Sequence, residues 1–190
     1  MIYLVTKVKA LFKSSKYECI SIEKSKEIIN SMGKIRGLDT ETMGLNPHTK
    51  ALLTVQIGTK KDQVVIDCTT INIWEYKDIL EDSNILYILA NAKFDIQFFF
   101  KHSIILSRVW DVMLAEKIRY LGYPKGSFHA DLKTLEYKYL NKYMDKTVRG
   151  KITKVGLTEE VIVYAANDVV DLEDLMNAQI KALEKEDLVK

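Results

Sequence analysis

The sequence predicts an α/β fold, a single mixed sheet with helices on both sides, and three observations lead there. Three short runs rich in β-branched residues, 35–40, 52–59 and 63–68, follow one another with only turn-like stretches between them. A uniformly apolar run, 85–90, then opens an alternation of strand and helix. The chain has 190 residues, 47% of them hydrophobic and 28% charged, enough for one sizeable core, and no low-complexity linker divides it. One domain over 1–190 is therefore expected.

Taken in order, an N-terminal strand and a short helix at 22–32 precede the three runs. The link Thr59-Lys60-Lys61-Asp62 is short enough for a hairpin, so at least one strand pair is expected to be antiparallel. A helix is expected at 71–81. The run 85–90 has no polar face, as a central strand buried on both sides would not. A helix at 93–101 and a strand at 108–112 come next. The remainder reads as helical: 113–121, 132–140, and one long last helix from 158 to about 184. Thr158 serves as the N-cap of that helix, with Glu159 and Glu160 at the positive end of its dipole.

Composition narrows the function classes. The longest apolar stretches, around 85–90 and 98–100, fall short of the roughly 18 residues a membrane span requires. The N-terminal apolar residues are broken by lysines, unlike a secretory signal. An intracellular protein without a membrane partner is expected, cytoplasmic or, if viral, in the host cytoplasm. Cys19 and Cys68 are too few for a tetrahedral zinc site and read as reduced core thiols. A net charge of +2 does not by itself indicate nucleic acid, but residues 117–154 hold ten basic residues against three acidic ones.

The spacing Asp-x-Glu occurs twice, and secondary structure separates the two cases. On a strand, Asp39 and Glu41 project from one face and set two carboxylates side by side. Such like charges oppose folding unless a cation compensates them, and a divalent metal is one such cation. The alternative is that the strand has ended and both point into water. On a helix, Asp171 and Glu173 diverge by about 200° and read as solvated surface charges. Asp95 lies just inside the helix that follows 85–90, with Asn91 four residues before it. It serves the helix dipole or adds a carboxylate at the carboxyl end of a strand, where open α/β sheets place ligands. Tyr164 and Asp168, at i and i+4, share a helical face near the packed side. The pair is either a phenol–carboxylate contact in a helix interface or part of a site.

In chain order, Leu38-Asp39-Thr40-Glu41-Thr42, Asn91-Ala92-Lys93-Phe94-Asp95 and Tyr164-Ala165-Ala166-Asn167-Asp168 resemble the three motifs of the DEDDy 3′→5′ exonucleases. These belong to the DnaQ-like, RNase H-fold superfamily. The resemblance runs from about 35 to 175 and is nearest in pattern to the proofreading domains of family A DNA polymerases, phage ones included. It implies an RNase H-like mixed β-sheet flanked by helices. It also implies two divalent ions, Mg²⁺ or Mn²⁺: one among Asp39, Glu41 and Asp168, the other between Asp39 and the scissile phosphate, with Asp95 acting largely through water. Paired metals would activate a water and stabilise charge on the leaving 3′ oxygen. Tyr164 would orient that water, since a phenol with pKa about 10 is a poor base near neutrality. The histidine branch of the superfamily needs His five residues before the last aspartate, where this chain has Val163.

The same resemblance places Thr42, Leu45 and Asn91 against the 3′-terminal nucleotide, Leu45 packing on its base; otherwise Leu45 is an apolar residue flanking a turn. Lysines and tyrosines interleave over 133–151, a composition that suits single-strand binding. Lys142, Lys146, Arg149 and Lys151 are candidate phosphate contacts there, whereas Tyr139 and Tyr143 fall on an apolar helical stripe with Leu132 and Leu135. The resulting expectation is a free-standing 3′→5′ exonuclease of single-stranded DNA 3′ ends, proofreading in trans beside a separate DNA polymerase. The alternatives are an exoribonuclease similar to RNase D, and a non-catalytic nucleic-acid-binding module on the same scaffold.

Overall fold

The computed structural model describes residues 1–123, 130–143 and 152–186. Seven strands form one sheet: β1 Ile2–Val5, β2 Tyr17–Ile20, β3 Ile35–Thr42, β4 Leu52–Gly58, β5 Gln63–Asp67, β6 Leu86–Leu89 and β7 Val109–Asp111. Their order across the sheet is β2-β1-β5-β4-β3-β6-β7. β4 runs antiparallel to both its neighbours, β3 and β5, and the other pairs are parallel. The hairpin expected at Thr59–Asp62 is the β4–β5 link, closed by the Thr59 N–H on the Asp62 carbonyl at 2.8 Å. The described helices are α1 Ile22–Ser31, α2 Lys77–Leu80, α3 Ala92–Lys101, α4 Val112–Arg119, α5 Leu132–Leu140, α6 Ile152–Val155, α7 Glu159–Asn167 and α8 Leu172–Lys185.

Strand alternation sorts the core into two layers. On one face Leu38, Val55, Ile57, Tyr87 and Leu89 pack against Ile29 of α1, Ile79 and Leu80 of α2, and Phe98 and Phe99 of α3. On the other, Ile88 packs with Val112 of α4, Leu135 of α5 and Leu172, Leu175 and Met176 of α8, while Leu4 and Val65 meet Ile162 and Ala166 of α7. The two-layered cover is the mixed α/β architecture expected, and Trp110 and Gln179 add a side-chain bond between β7 and α8 at 3.3 Å.

Three expectations need correction. β2 is an additional edge strand; the four residues Tyr17–Ile20 are too few, and too mixed with charge, to signal it. The run at 85–90 is buried on both sides, yet β6 is second from an edge and the middle strand is β4; cover by α3 on one face and α8 on the other buries it. The long last helix is two, α7 and α8, broken over 168–171. No glycine or proline marks that break. Its cause lies across the sheet, where Gly37 and Gly58 face each other in the β3–β4 pair. A Cβ on Gly37 would stand 2.5 Å from the Val169 carbonyl oxygen, and one on Gly58 2.7 Å from Val169 Cγ2. The two glycines leave a bare spot on the sheet, and the chain dips into it immediately after Asp168.

Candidate active site

β3 does not end at Asp39. It stays paired with β4 through Glu41, with Asp39 opposite Gln56 and Glu41 opposite Thr54, and the register slips only between Glu41 and Thr42. Asp39 and Glu41 therefore share the face covered by α7 and α8. α7 is capped by Thr158, whose side chain accepts from the Val161 N–H at 3.3 Å, and carries Tyr164 on its buried side. Asp168 closes the helix, its N–H on the Tyr164 carbonyl at 3.2 Å, and is 8% exposed. The seat of Val169 on Gly37 and Gly58 brings this carboxylate down to β3. Asp39, Glu41 and Asp168 each offer an oxygen, all within 4.8 Å of one another. Three hard oxygen donors at that spacing suit a small divalent cation.

Asp95 is not one of these three. It is 2% exposed and accepts a 2.5 Å hydrogen bond from Thr40 Oγ1. Thr40 lies between Asp39 and Glu41 but points to the opposite face, so Asp95 pins the strand from behind at the residue separating the two half-buried carboxylates. Burial, and then the charge of Asp39, hold the Asp95 carboxyl well above the usual aspartate range; the Thr40 bond opposes them.

The three carboxylates open into a cleft of about 160 Å³ that is also lined by Thr40, Ala90, Asn91, Met113, Asp131, Leu132 and Tyr164. Asn91, with φ 68° and ψ 50°, stands at the start of α3 without capping it. A second cleft shares Tyr164 and Asp168 and adds Glu136, Lys142, Tyr143, Asn167 and Asp171. There Lys142 pairs with Asp171 at 2.5 Å, so Asp171 is an ion-paired residue and not the solvated charge expected from its sequence context. Thr42 Oγ1 donates to the Gly44 carbonyl at 2.9 Å, and Leu45 is 84% exposed. Neither lines the two clefts. Lys146, Arg149 and Lys151 lie outside the described residues.

Sequence reasoning missed Met113, Asp131 and Asp111. Asp131 caps α5, accepting from the Thr134 hydroxyl at 2.6 Å, and borders the first cleft. Asp111, at the end of β7, accepts from main-chain N–H groups at the starts of both α3 and α4. Asp131 stands immediately ahead of an expected helix, which is an N-cap signal, whereas Asp111 falls inside the strand expected at 108–112, because α4 starts one residue earlier than expected, at Val112.

The model of a family described as 3′-5′ exonuclease matches residues 18–183. The chain belongs to this family. A relative, DNA polymerase I of Aquifex aeolicus (strain VF5), is 31% identical over 140 residues, 73% of this chain and 22% of that protein. The chain thus spans about a fifth of the length of that relative. Among solved structures, Brucella melitensis NrnC superposes with a TM-score of 0.72 at 21% identity, covering 99% of this chain and 83% of that one. Escherichia coli RNase D, described as an exoribonuclease involved in structured RNA processing, gives 0.69 at 21% identity, covering 94% and 45%. The chain shares its fold with these structures.

Proposed function

We propose that this exonuclease is metal-dependent and removes nucleotides from the 3′ end of single-stranded DNA. One observation carries the reading: carboxylates from β3 and from the α7–α8 junction meet within 4.8 Å at the mouth of a cleft that Tyr164 also lines. Asp39, Glu41 and Asp168 would hold Mg²⁺ or Mn²⁺, in number two by the family resemblance. Bound there, divalent ions supply an activated water and stabilise the charge of a leaving 3′ oxygen. Asp39 and Glu41 are presented together because Thr40, tied to Asp95, fixes the strand between them. Tyr164 orients the attacking water through its hydroxyl. Asn91 and Met113 border the space for the terminal nucleotide. The relative that is a DNA polymerase supports DNA, and with the resemblance to proofreading domains it supports a proofreading role beside a DNA polymerase. Failure to co-purify with that polymerase or to raise its fidelity would count against the role.

A second reading keeps the site and changes the substrate to RNA, supported by the likeness to RNase D. Digestion of 5′-labelled DNA beside RNA of the same sequence, with Mg²⁺, Mn²⁺ or EDTA, separates the two. A metal-dependent ladder shortening from the 3′ end of DNA is expected. Faster loss of RNA would promote the second reading, and no cleavage of either would overturn both.

A further inference from the structure

We propose that Asp111 is a positioning residue for the terminal nucleotide, holding both borders of its cleft through main-chain hydrogen bonds. The inference rests on the exonuclease reading above. Asp111 Oδ1 accepts from the N–H groups of Asn91 at 3.1 Å, Met113 at 2.9 Å and Leu114 at 3.1 Å, and Oδ2 accepts from Ala92 N–H at 2.9 Å. One carboxylate thus uses its acceptor capacity on the first turns of two helices, α3 and α4. Such charge-assisted bonds at helix N-termini are among the stronger ones in proteins.

The arrangement explains a conformation that is otherwise costly. Asn91 sits in the left-handed region, which few residues other than glycine adopt, and its own side chain makes no capping bond to α3. Its cap comes instead from the adjacent parallel strand, where Asp111 stands opposite Leu89. That arrangement leaves the Asn91 amide side chain for the cleft. Met113, held by the same carboxylate, borders the cleft from the other helix. The distance between the two borders is therefore set by Asp111, a residue that does not itself line the space.

Asp111→Asn is the informative change. It leaves one acceptor oxygen, so the amide group must face an N–H donor at one helix or the other. Three measurements are compared with the wild type: KM and kcat on a short single strand, inhibition by a nucleoside 5′-monophosphate, and hydrolysis of bis(p-nitrophenyl) phosphate, which has no nucleoside. KM and the inhibition constant are expected to rise about tenfold, because small displacements of positioning groups are costly. The kcat value and the rate on the nucleoside-free ester should stay within about twofold. Ser21→Ala, which removes the cap of α1 far from the site, controls for lost stability: its Tm should fall with KM unchanged.

A lower Tm in Asp111→Asn with KM and inhibition at wild-type values would overturn the inference, leaving a structural cap. Equal loss on the nucleoside-free ester would overturn it too, placing the damage at the carboxylates. A wild type inert on DNA and RNA would instead overturn the exonuclease reading, and this inference with it. Independent of any variant's folding, a nucleoside 5′-monophosphate with Mn²⁺ should slow hydrogen exchange at residues 91, 92, 113 and 114 together. Slowing at only one helix, or at neither, would overturn the coupling.

Discussion

At Asp95 the proposed function and stability pull in opposite directions. A buried carboxyl beside Asp39 favours its neutral form, so the folded state holds that proton more tightly than the unfolded chain does. Its contribution to stability is complete below the ordinary aspartate value of about 3.9 and fades as pH rises through the raised folded value. Asp95→Asn keeps an oxygen for the Thr40 bond and removes the ionisable group. Metal-free protein carrying it should melt higher than wild type near neutral pH and lose that part of the pH slope, while exonuclease activity falls; calorimetry across pH checks the first, a gel assay the second. Asp39→Ala or Asp168→Ala should reduce hydrolysis to background. Tyr164→Phe should leave a residue of activity, down roughly a hundredfold, because orienting a water is only part of proton-transfer catalysis. At this scale the sequence was most readable where spacing meets periodicity: Asp39 and Glu41 on one strand face, Tyr164 and Asp168 one helical turn apart. It was least readable at Asp111, whose partners are main-chain groups of two segments that only the fold brings together.

Among the elements, α5 and the hairpin strands declared themselves through composition and turn length, while the division of the last helix did not. Asn167-Asp168-Val169-Val170-Asp171 contains nothing that must stop a helix. The break is imposed from Gly37 and Gly58, which belong to strands more than a hundred residues earlier. Gly37→Ala tests this directly: its Cβ would collide with main chain, the Val169 carbonyl, which cannot swing aside as a side-chain tip could. The expected cost is about 1–3 kcal/mol. Wild type should show a Mn²⁺-dependent rise in Tm, and Gly37→Ala should lose most of it as Asp168 is lifted from Asp39 and Glu41. An undiminished metal shift in the variant would mean that the turn re-seats without help from the glycines.

For the whole molecule, the near-neutral charge conceals an uneven distribution, and salt dependence measures its use. If the basic stretch tracks phosphates, log KM should rise with log salt concentration, and Arg149→Ala should reduce that slope by about one contact's worth. Lys142→Ala should change it less, because Lys142 is held by Asp171. No described helix is long and apolar enough to cross a membrane. The seat of Val169 on the two glycines also has a consequence for the order of events during synthesis. Asp39 and Glu41 leave the ribosome early and Asp168 late, and no local helix or hairpin can unite them. A nascent chain, or one truncated before Asp168, holds a half-built ligand set with two repelling carboxylates. On the proposed function, nuclease capability would switch on only when α7 and α8 dock, and a Mn²⁺-induced rise in Tm would double as an assay of that docking.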